Sequence, residues 1–442
     1  MNAMAAQPAE RTAIRSRSLF RSPRARWPRR LRSRQSGIAL IAVVVFIGIA
    51  AAVFVVRSLN ADAVVSRQNQ RTAEALQAAR EALLAFAATN DNRPGALPCP
   101  DINGDGQSLS GTEYVGNGCQ SYIGRLPWAL LRIPELRDAS GELLWYALSP
   151  GFRDAGPVTG NPGFVNPDTV PALTIAGSSD LLGAIVFAPG AALQGQVRSG
   201  TGANALENHL DGVNATPTTV FSAALPGPAF NDRLLPISGA DLVAIAERRV
   251  SREVAAALNQ YFELYGFLPA PATFSTVLCI SAGFVPAGAC QPVPGIHAGR
   301  LPASVDPESY APVGSGQRSA LLTGTSVPAN QYDLVWLQLQ RWREHVVYIV
   351  SPNCAGPPVN KCAAGSLIVR GPGPNVDNAR FLVLMSGSPG AGQARASAAD
   401  RTAMANYLEG TALSAAQTLA AGSVPPQIVI PPGTVYATPG TN

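Results

Sequence analysis

Oxygen-bearing side chains stand at alternate positions in the stretch LPCPDINGDGQ. Asp101, Asn103 and Asp105 precede a glycine, an order that is typical of the first half of an EF-hand calcium loop. The second half departs from such a loop, because Thr112 stands where the bidentate glutamate belongs and Glu113 follows it. Two interpretations stay open: a calcium site formed by Asp101, Asn103, Asp105 and Glu113, or a turn in which these side chains bond the backbone.

Cysteine occurs six times, always as two residues close in sequence. An even number in local pairs is typical of disulfides that form in an oxidising compartment. Metal thiolates are the alternative, but no Cys-x-x-Cys spacing occurs. We therefore predict three disulfides, the first of which would close the loop just described. The pairs are Cys99 with Cys119, Cys279 with Cys290, and Cys354 with Cys362.

The three histidines, His209, His297 and His345, form no recognisable catalytic or metal-binding pattern. His209 takes a place that Tyr407 holds in a later copy of the same motif, which favours packing, and His345 precedes a strand, which favours the surface. The chain has no Gly-x-Ser-x-Gly elbow, no phosphate loop and no His-x-x-x-His pair. Its carboxylates are scattered, so no glycosidase pair stands out. We predict that the protein is not an enzyme.

An uncharged apolar run, residues 37–56 (GIALIAVVVFIGIAAAVFVV), separates a basic tail from the rest of the chain. As a helix it would cover about 30 Å, the thickness of a bilayer core. Residues 1–37 hold ten Arg and one Glu, whereas the remainder holds 23 basic and 27 acidic residues. Positive charge beside a span stays in the cytoplasm, so we expect the chain beyond residue 57 on the other side. No basic body remains to bind nucleic acid.

The helix is predicted to continue beyond the apolar run. Residues 58–86 contain no Gly or Pro, and Leu76, Ala79, Leu83 and Phe86 recur at helical spacing. One helix over residues 38–88 would place its first half in lipid and lay its second half on a sheet. The polar, Gly-containing stretch from residue 90 to 95 would end it.

The junction Arg-Gln-Ser-Gly followed by Ile-Ala-Leu-Ile-Ala resembles the class III leader of type IV pilins and type II secretion pseudopilins. In that family prepilin peptidase cuts after the glycine and the new N-terminal residue is methylated. The resemblance therefore implies cleavage after Gly37 and methylation of Ile38. The chain departs from the family at the fifth mature position, where Ala42 replaces the usual glutamate, as in some minor pilins and the large tip pseudopilin. An uncleaved signal anchor is the alternative.

The resemblance implies a minor pilin or pseudopilin that is stored in the inner membrane and assembled, at the tip, into a type IV pilus or a type II secretion pseudopilus. It would be a single-pass protein with a cytoplasmic N-terminus and a body in the periplasm or in an extracellular filament. Its partners would be the inner membrane, other subunits, prepilin peptidase, and a secreted substrate or a surface. The alternative function is a permanently anchored periplasmic binding or scaffold protein.

Several motifs recur in the same order, which indicates an internal repeat. A second helix is predicted after Ser238, with Asp241 three residues later as in a capping box, and its apolar stripe includes Leu242 and Tyr261. The recurring motifs are Gly-Arg-Leu-Pro at 124–127 and 299–302, Tyr-x-x-Ser-Pro at 146–150 and 348–352, a strand with its turn at 184–196 and 380–393, and Asn-x-Leu-x-Gly at 208–212 and 406–410.

These patterns predict an α+β fold. A long N-terminal transmembrane and stalk helix would precede two tandem pilin-like units, each a helix with an antiparallel sheet and long disulfide-pinned loops. The predicted segments are a basic cytoplasmic leader (1–37), the transmembrane part of the helix (38–57), a first periplasmic unit (58–232), a second unit (233–417) and a Pro-rich C-terminal tail (418–442).

Overall fold

The computed structural model describes residues 36–155, 163–199, 204–276, 279, 290, 292–302, 341–356 and 362–439; within them, the side chains of 36–40, 42, 55–62 and 264 are not described. The fold is mixed α+β, with several antiparallel sheets and with disulfides, which confirms the predicted fold class at this level. The chain divides into two units, Met1–Val64 and Val65–Asn442. Of the first unit, the described residues are helical.

The first helix, α1, runs over Ser36–Thr89, a length of 54 residues. Within the second unit, one face of α1 is buried at Ala75, Leu76, Ala79, Leu83 and Ala87. The predicted stripe is thus confirmed except at its last position. Ala87 is fully buried, whereas Phe86 is half-buried, because a step of four residues from Leu83 falls on Ala87.

Within the part of the chain that the structure describes, no helix contains a stretch long and apolar enough to cross a membrane.

The predicted span, residues 38–57, lies partly outside the described side chains, since those of 38–40, 42 and 55–57 are not described.

A four-stranded antiparallel sheet, here called the first sheet, carries α1 on one face. Its strand order is β3-β4-β6-β8. In its centre Tyr146 pairs with Val186 on one side and with Gly124 on the other. The inward side chains of α1 and of the sheet form one core. The strands are β3 (Ile123–Arg125), β4 (Trp145–Leu148), β6 (Leu182–Ala188) and β8 (Arg233–Ser238).

The second long helix, α2 (Gly239–Tyr265), joins the first sheet to the second. Its start follows the prediction, because the Ser238 hydroxyl accepts a hydrogen bond from the Asp241 amide. Leu242 and Val243 belong to the core of the first sheet, whereas the apolar residues from Ala246 onward belong to the core of the second. The helix ends at Gly266 in the left-handed conformation.

The second sheet has the order β9-β10-β13-β15 and is also antiparallel throughout. Tyr348 stands in its centre, paired with Val383 and with Gly299. Apolar side chains of α2 cover one face, and α4 contributes to the core on the other. The elements are β9 (Ala298–Arg300), β10 (Val346–Val350), β13 (Phe381–Met385), β15 (Tyr436–Ala437), α3 (Ala398–Arg401) and α4 (Gly410–Ala420).

Smaller sheets accompany both. A parallel pair, β5 with β7, lies in the chain before α2, and a second parallel pair, β11 with β14, lies after it. The segment 418–442, which was predicted as a Pro-rich tail, contains β14 and β15. Its apolar residues Ile428 and Ala437 are buried, so this part of the segment packs on the body. The remaining strands are β1 (Tyr114–Val115), β2 (Gly118–Cys119), β5 (Thr174–Ile175), β7 (Val220–Phe221), β11 (Leu367–Arg370), β12 (Val376–Ala379) and β14 (Ile428–Val429).

Candidate functional site

The predicted processing junction lies at the start of α1. Gly37 and Ile38 fall in its first turn, since the helix begins at Ser36. The side chains of Ile38 and of Ala42 lie outside the described residues. Cleavage and methylation therefore stay predictions from the sequence.

The Asp101 carboxylate organises the predicted calcium loop from its inside. The side chain is buried, and its Oδ1 accepts hydrogen bonds from the amides of Asn103 (3.0 Å) and Gly104 (2.6 Å). Its Oδ2 accepts from the Gly106 amide at 2.8 Å. Burial raises the pKa of Asp101, and the three amide bonds oppose that rise. Both carboxylate oxygens are thus engaged by the backbone of the loop.

The other candidate ligands also accept hydrogen bonds from the loop, although Oε1 of Glu113 is buried without a partner among the described residues. Asp105 accepts from the Gln107 amide (2.8 Å) and from the Asn103 side-chain amide (3.0 Å). Glu113 is fully buried and accepts from the Leu109 amide at 2.8 Å. Within the described residues no group of three or more His, Cys, Asp or Glu could hold a metal ion. The hydrogen bonds form nested Asx turns, which is the second interpretation of the sequence. Calcium here stays an untested prediction.

The structure contains three disulfides, and they join the residues that the sequence pairs. They are Cys99–Cys119, Cys279–Cys290 and Cys354–Cys362. The first closes the Asp101 loop, where the Cys99 amide donates a hydrogen bond to the Tyr114 hydroxyl at 3.1 Å. Each bridge closes a loop of 20 residues or fewer, so its main effect is to restrict that loop.

Buried arginines are the feature that the sequence analysis missed. The two Gly-Arg-Leu-Pro motifs place their arginines over aromatic rings: Arg125 lies 5.2 Å from the ring centre of Trp145, and Arg300 lies 3.9 Å from that of Phe274. Arg300 also donates to the Glu344 carbonyl at 2.7 Å. In the sequence these motifs predict only turns and strands. The burial of an arginine depends on residues distant in the chain, so the motif itself does not show it.

A second pair of arginines closes the turn after a central strand. After β6, Arg198 donates to the carbonyls of Gly190 and Asn208, both at 2.7 Å. Glu142 is its counter-ion at 3.2 Å and lies 3.8 Å from His209. His209 is buried against the ring of Trp145, which is the packing role expected for it.

After β13, Arg395 makes the equivalent bonds, to the carbonyls of Gly387 (2.9 Å) and Asn406 (2.6 Å). Its counter-ion differs, however. Glu344, which precedes Tyr348 as Glu142 precedes Tyr146, is bonded by Arg341 at 2.6 and 2.7 Å.

Asp168 is the counter-ion of Arg395 instead. It follows β4 in the chain, 227 residues before Arg395, and its Oδ1 lies 3.3 Å from the guanidinium. A carboxylate from the chain before α2 is therefore inserted beside the second sheet. Burial raises the pKa of Asp168, although Arg395 opposes the rise.

His345 lies beside this pair, with Nε2 3.5 Å from Asp168. The expectation that His345 is a surface residue was wrong, since it is fully buried. Burial and the surrounding arginines lower its pKa well below the usual value, so the imidazole is neutral at pH 7. A neutral histidine near Asp168 and Ser386 (Nδ1 to Oγ, 3.0 Å) serves packing and hydrogen bonding.

The described surface includes a cavity of 690 Å³ beside β3, which is lined by Tyr122, Ile123 and Leu148 among others. A second, 380 Å³, lies at the end of β13 and includes Glu247 and Glu409. A third, 230 Å³, lies between α1 and the end of β6.

Comparison of the chain with protein-family models, with curated proteins and with solved structures finds no match.

Proposed function

We propose that this chain is a minor pilin-like or pseudopilin-like subunit, stored in the inner membrane and assembled at the tip of a type IV pilus or a type II secretion pseudopilus. One observation carries the proposal. A single unbroken helix, α1, begins at the leader-like junction and has its C-terminal part in the core of an antiparallel sheet. A subunit that is drawn from a membrane into a filament needs such a helix.

The part of α1 in the first unit supports the proposal by its surface. Nine large apolar side chains between Ile41 and Phe54 are 46–74% exposed. Soluble proteins rarely leave so continuous an apolar surface uncovered. In the proposed cycle, lipid covers it before assembly, and the helices of neighbouring subunits cover it afterwards.

The body supports a second part of the proposal, that two pilin-like units arose by duplication. Both sheets have four antiparallel strands in matching order. The central tyrosine of each donates to a proline carbonyl: Tyr146 to Pro98 at 3.1 Å and Tyr348 to Pro269 at 2.9 Å. A doubled body suits a tip position, where its loops contact a secreted substrate or a surface.

Intact-mass measurement and N-terminal sequencing of the protein from its own membranes test the proposal. The expected chain begins at methylated Ile38. Gly37→Val should block processing, whereas Gly48→Val should not, because a side chain added at Gly48 meets nothing within 4 Å. A wild-type chain that retains residues 1–37 would overturn the proposal and favour the anchored periplasmic binding or scaffold protein.

A further inference from the structure

The 380 Å³ cavity at the end of β13, here called the acidic cleft, is lined by acidic and apolar residues. Among the described residues that line it, two are acidic and none is basic. Its walls include the apolar side chains of Leu408, Pro431 and Pro432. A volume of this size suits a small ligand or one side chain of a partner. The cleft thus offers apolar walls and negative charge together.

Glu247 on α2 supplies the innermost charge. It is 4% exposed, and its Oε1 accepts a hydrogen bond from the Gly387 amide at 2.8 Å. Because Gly387 also lines the cleft, the carboxylate lies at the cleft wall. The described chain provides no other hydrogen bond to this carboxylate. The described residues thus leave Oε2 open to a donor from a ligand, and a hydrogen bond to a charged acceptor is stronger than one between neutral groups.

Tyr407 adds a buried hydroxyl whose pKa is raised by burial, and the Arg300 guanidinium lies near enough to oppose that rise. It is 1% exposed and lines the same cleft. Arg300 and Arg395 stack over its ring, 5.0 and 4.6 Å from the ring centre. Within the described residues its hydroxyl has no partner in hydrogen-bond geometry.

Glu409 brings the second carboxylate to the cleft mouth, against Gly390. A Cβ placed on Gly390 would collide with Oε1 of Glu409. The Gly390 amide is bonded by the Gln393 side chain at 2.9 Å. The glycine therefore leaves room for Glu409 at the cleft.

In the corresponding cavity beside the first sheet, the open acceptor is the amide oxygen of Asn231 and not a carboxylate. There the amide of Gly190, which follows β6 as Gly387 follows β13, is bonded by Asp138 at 2.7 Å. The Asp138 carboxylate also accepts from the amides of Ser140 (2.8 Å) and Glu142 (3.1 Å). Arg233 lines that cavity as well. The second copy differs in its lining, which among the described residues holds two carboxylates and no basic residue, although Arg395 lies behind Tyr407.

We propose that the acidic cleft binds an alkylammonium group, either a free amine or a lysine side chain of a partner protein. The ammonium would donate to Glu247 and Glu409, and its aliphatic stem would lie on Leu408, Pro431 and Pro432. An ammonium group has three hydrogen-bond donors and no acceptor, so it can bond the carboxylates of both Glu247 and Glu409. This inference does not depend on assembly into a filament.

Binding should be coupled to a proton. Burial raises the pKa of Glu247 to about 7, while Arg395 and Arg248 act in the opposite direction. A bound cation favours the ionised carboxylate, so affinity should rise with pH. From about pH 6 to about pH 8 the ionised fraction of Glu247 grows about tenfold, and the affinity should grow by the same factor.

Isothermal titration calorimetry of the full chain tests the proposal with n-butylammonium chloride and with Nα-acetyl-lysine-N-methylamide. The Nε-acetylated form of the lysine derivative is the uncharged control. Glu247→Gln should weaken binding about tenfold or more, since a hydrogen bond to a charged group is lost. Glu253→Gln is the matched control on the same helix, because Glu253 pairs with Arg249 and is not among the described residues that line the cleft.

Gly390→Ala provides a test that leaves α2 unchanged, since it displaces only the end of the Glu409 side chain. It should weaken binding several-fold. Equal binding of both amines would identify a free amine as the ligand, and tighter binding of the lysine derivative would identify a partner's side chain. The proposal is overturned if neither amine binds at about 50 mM, if the Nε-acetylated control binds equally well, or if wild-type affinity does not rise with pH.

Discussion

Asp232 offers the sharpest test of the buried electrostatics. Its Oδ2 accepts from the Asp211 amide (2.9 Å) and from the Asn214 side chain (3.0 Å). Its Oδ1 is buried and has no hydrogen-bond partner within the described residues. Burial, the largest cause, together with the charge of Asp211 raises the pKa of Asp232 from 3.8 to about 7, although these two hydrogen bonds and, to a smaller extent, Arg198 oppose the rise.

The sign of the pH dependence follows from these values. Between about pH 4 and pH 7 the folded protein keeps a proton on Asp232 that the unfolded chain has lost. The free energy of unfolding therefore falls as the pH rises through this range. One pKa unit corresponds to about 1.4 kcal/mol, so Asp232 alone should remove about 2–3 kcal/mol between pH 5 and pH 8.

Replacement of Asp232 by Asn should abolish the contribution of this residue to the pH dependence of the free energy of unfolding. The amide keeps one acceptor for Asp211 and carries no charge, so Asp232→Asn should be the more stable protein at pH 8 and close to wild type at pH 5. Urea denaturation followed by circular dichroism at both pH values measures the difference. Asp180→Asn is the matched control, because Asp180 is exposed.

Other buried groups also titrate, so the decisive quantity is the change in stability of Asp232→Asn between the two pH values minus that of wild type. A value near zero would refute the reasoning, since it would mean that Asp232 is ionised in the folded protein throughout. A stability loss at pH 8 would also refute it, because Asp232 would then stabilise the fold as an anion.

Three further predictions concern the loop and the body. Asp101→Asn should cost about 2 kcal/mol, because its NH₂ group would face the Gly106 amide. If the turn interpretation holds, millimolar calcium should leave the melting temperature of wild type unchanged; a rise with calcium would favour the EF-hand interpretation instead. Replacing Cys99 and Cys119 together by Ser should cost about 3 kcal/mol in urea, and a loss below 1 kcal/mol would show that the loop is ordered without the bridge. Because α2 contributes to the cores of both sheets and Asp168, from the chain before α2, pairs with Arg395 beside the second sheet, residues 65–442 should unfold in one calorimetric transition; two resolved transitions would contradict this coupling.

Local patterns predicted the elements whose causes are local. The apolar stripe of α1 and the Ser238 cap of α2 depend on neighbours within one or two turns, so their spacing is visible in sequence. The cysteine pairs lie 20, 11 and 8 residues apart, within reach of proximity arguments. The prediction was wrong at Phe86, because the helical step of four residues from Leu83 places Ala87, and not Phe86, on the buried face.

Residues joined over long distances could not be found in this way. Asp168 and Arg395 are 227 residues apart, and neither carries a local sign of burial. His345 was expected at the surface because it precedes a strand, yet it is fully buried, and the arginines that surround it include Arg300 and Arg395 from distant parts of the chain. The Asp101 loop shows a different limit. The same oxygens at alternate positions suit a calcium ion or the loop's own amides, and the direction in which the oxygens point decides between them.

The two sheets satisfy the same backbone amide with different carboxylates, at Gly190 in one copy and at Gly387 in the other. The amide after the central strand needs an acceptor in both copies. Asp138 supplies it at Gly190 and is saturated by three amides, whereas Glu247 supplies it at Gly387 from a helix and keeps an oxygen free. Stability alone would favour the saturated arrangement, because burial raises the pKa of Glu247 to about 7 and so disfavours its ionised form. The saturated Asp138 and the singly bonded Glu247 thus differ in what a ligand could gain from them, and a binding function at the cleft would explain that difference.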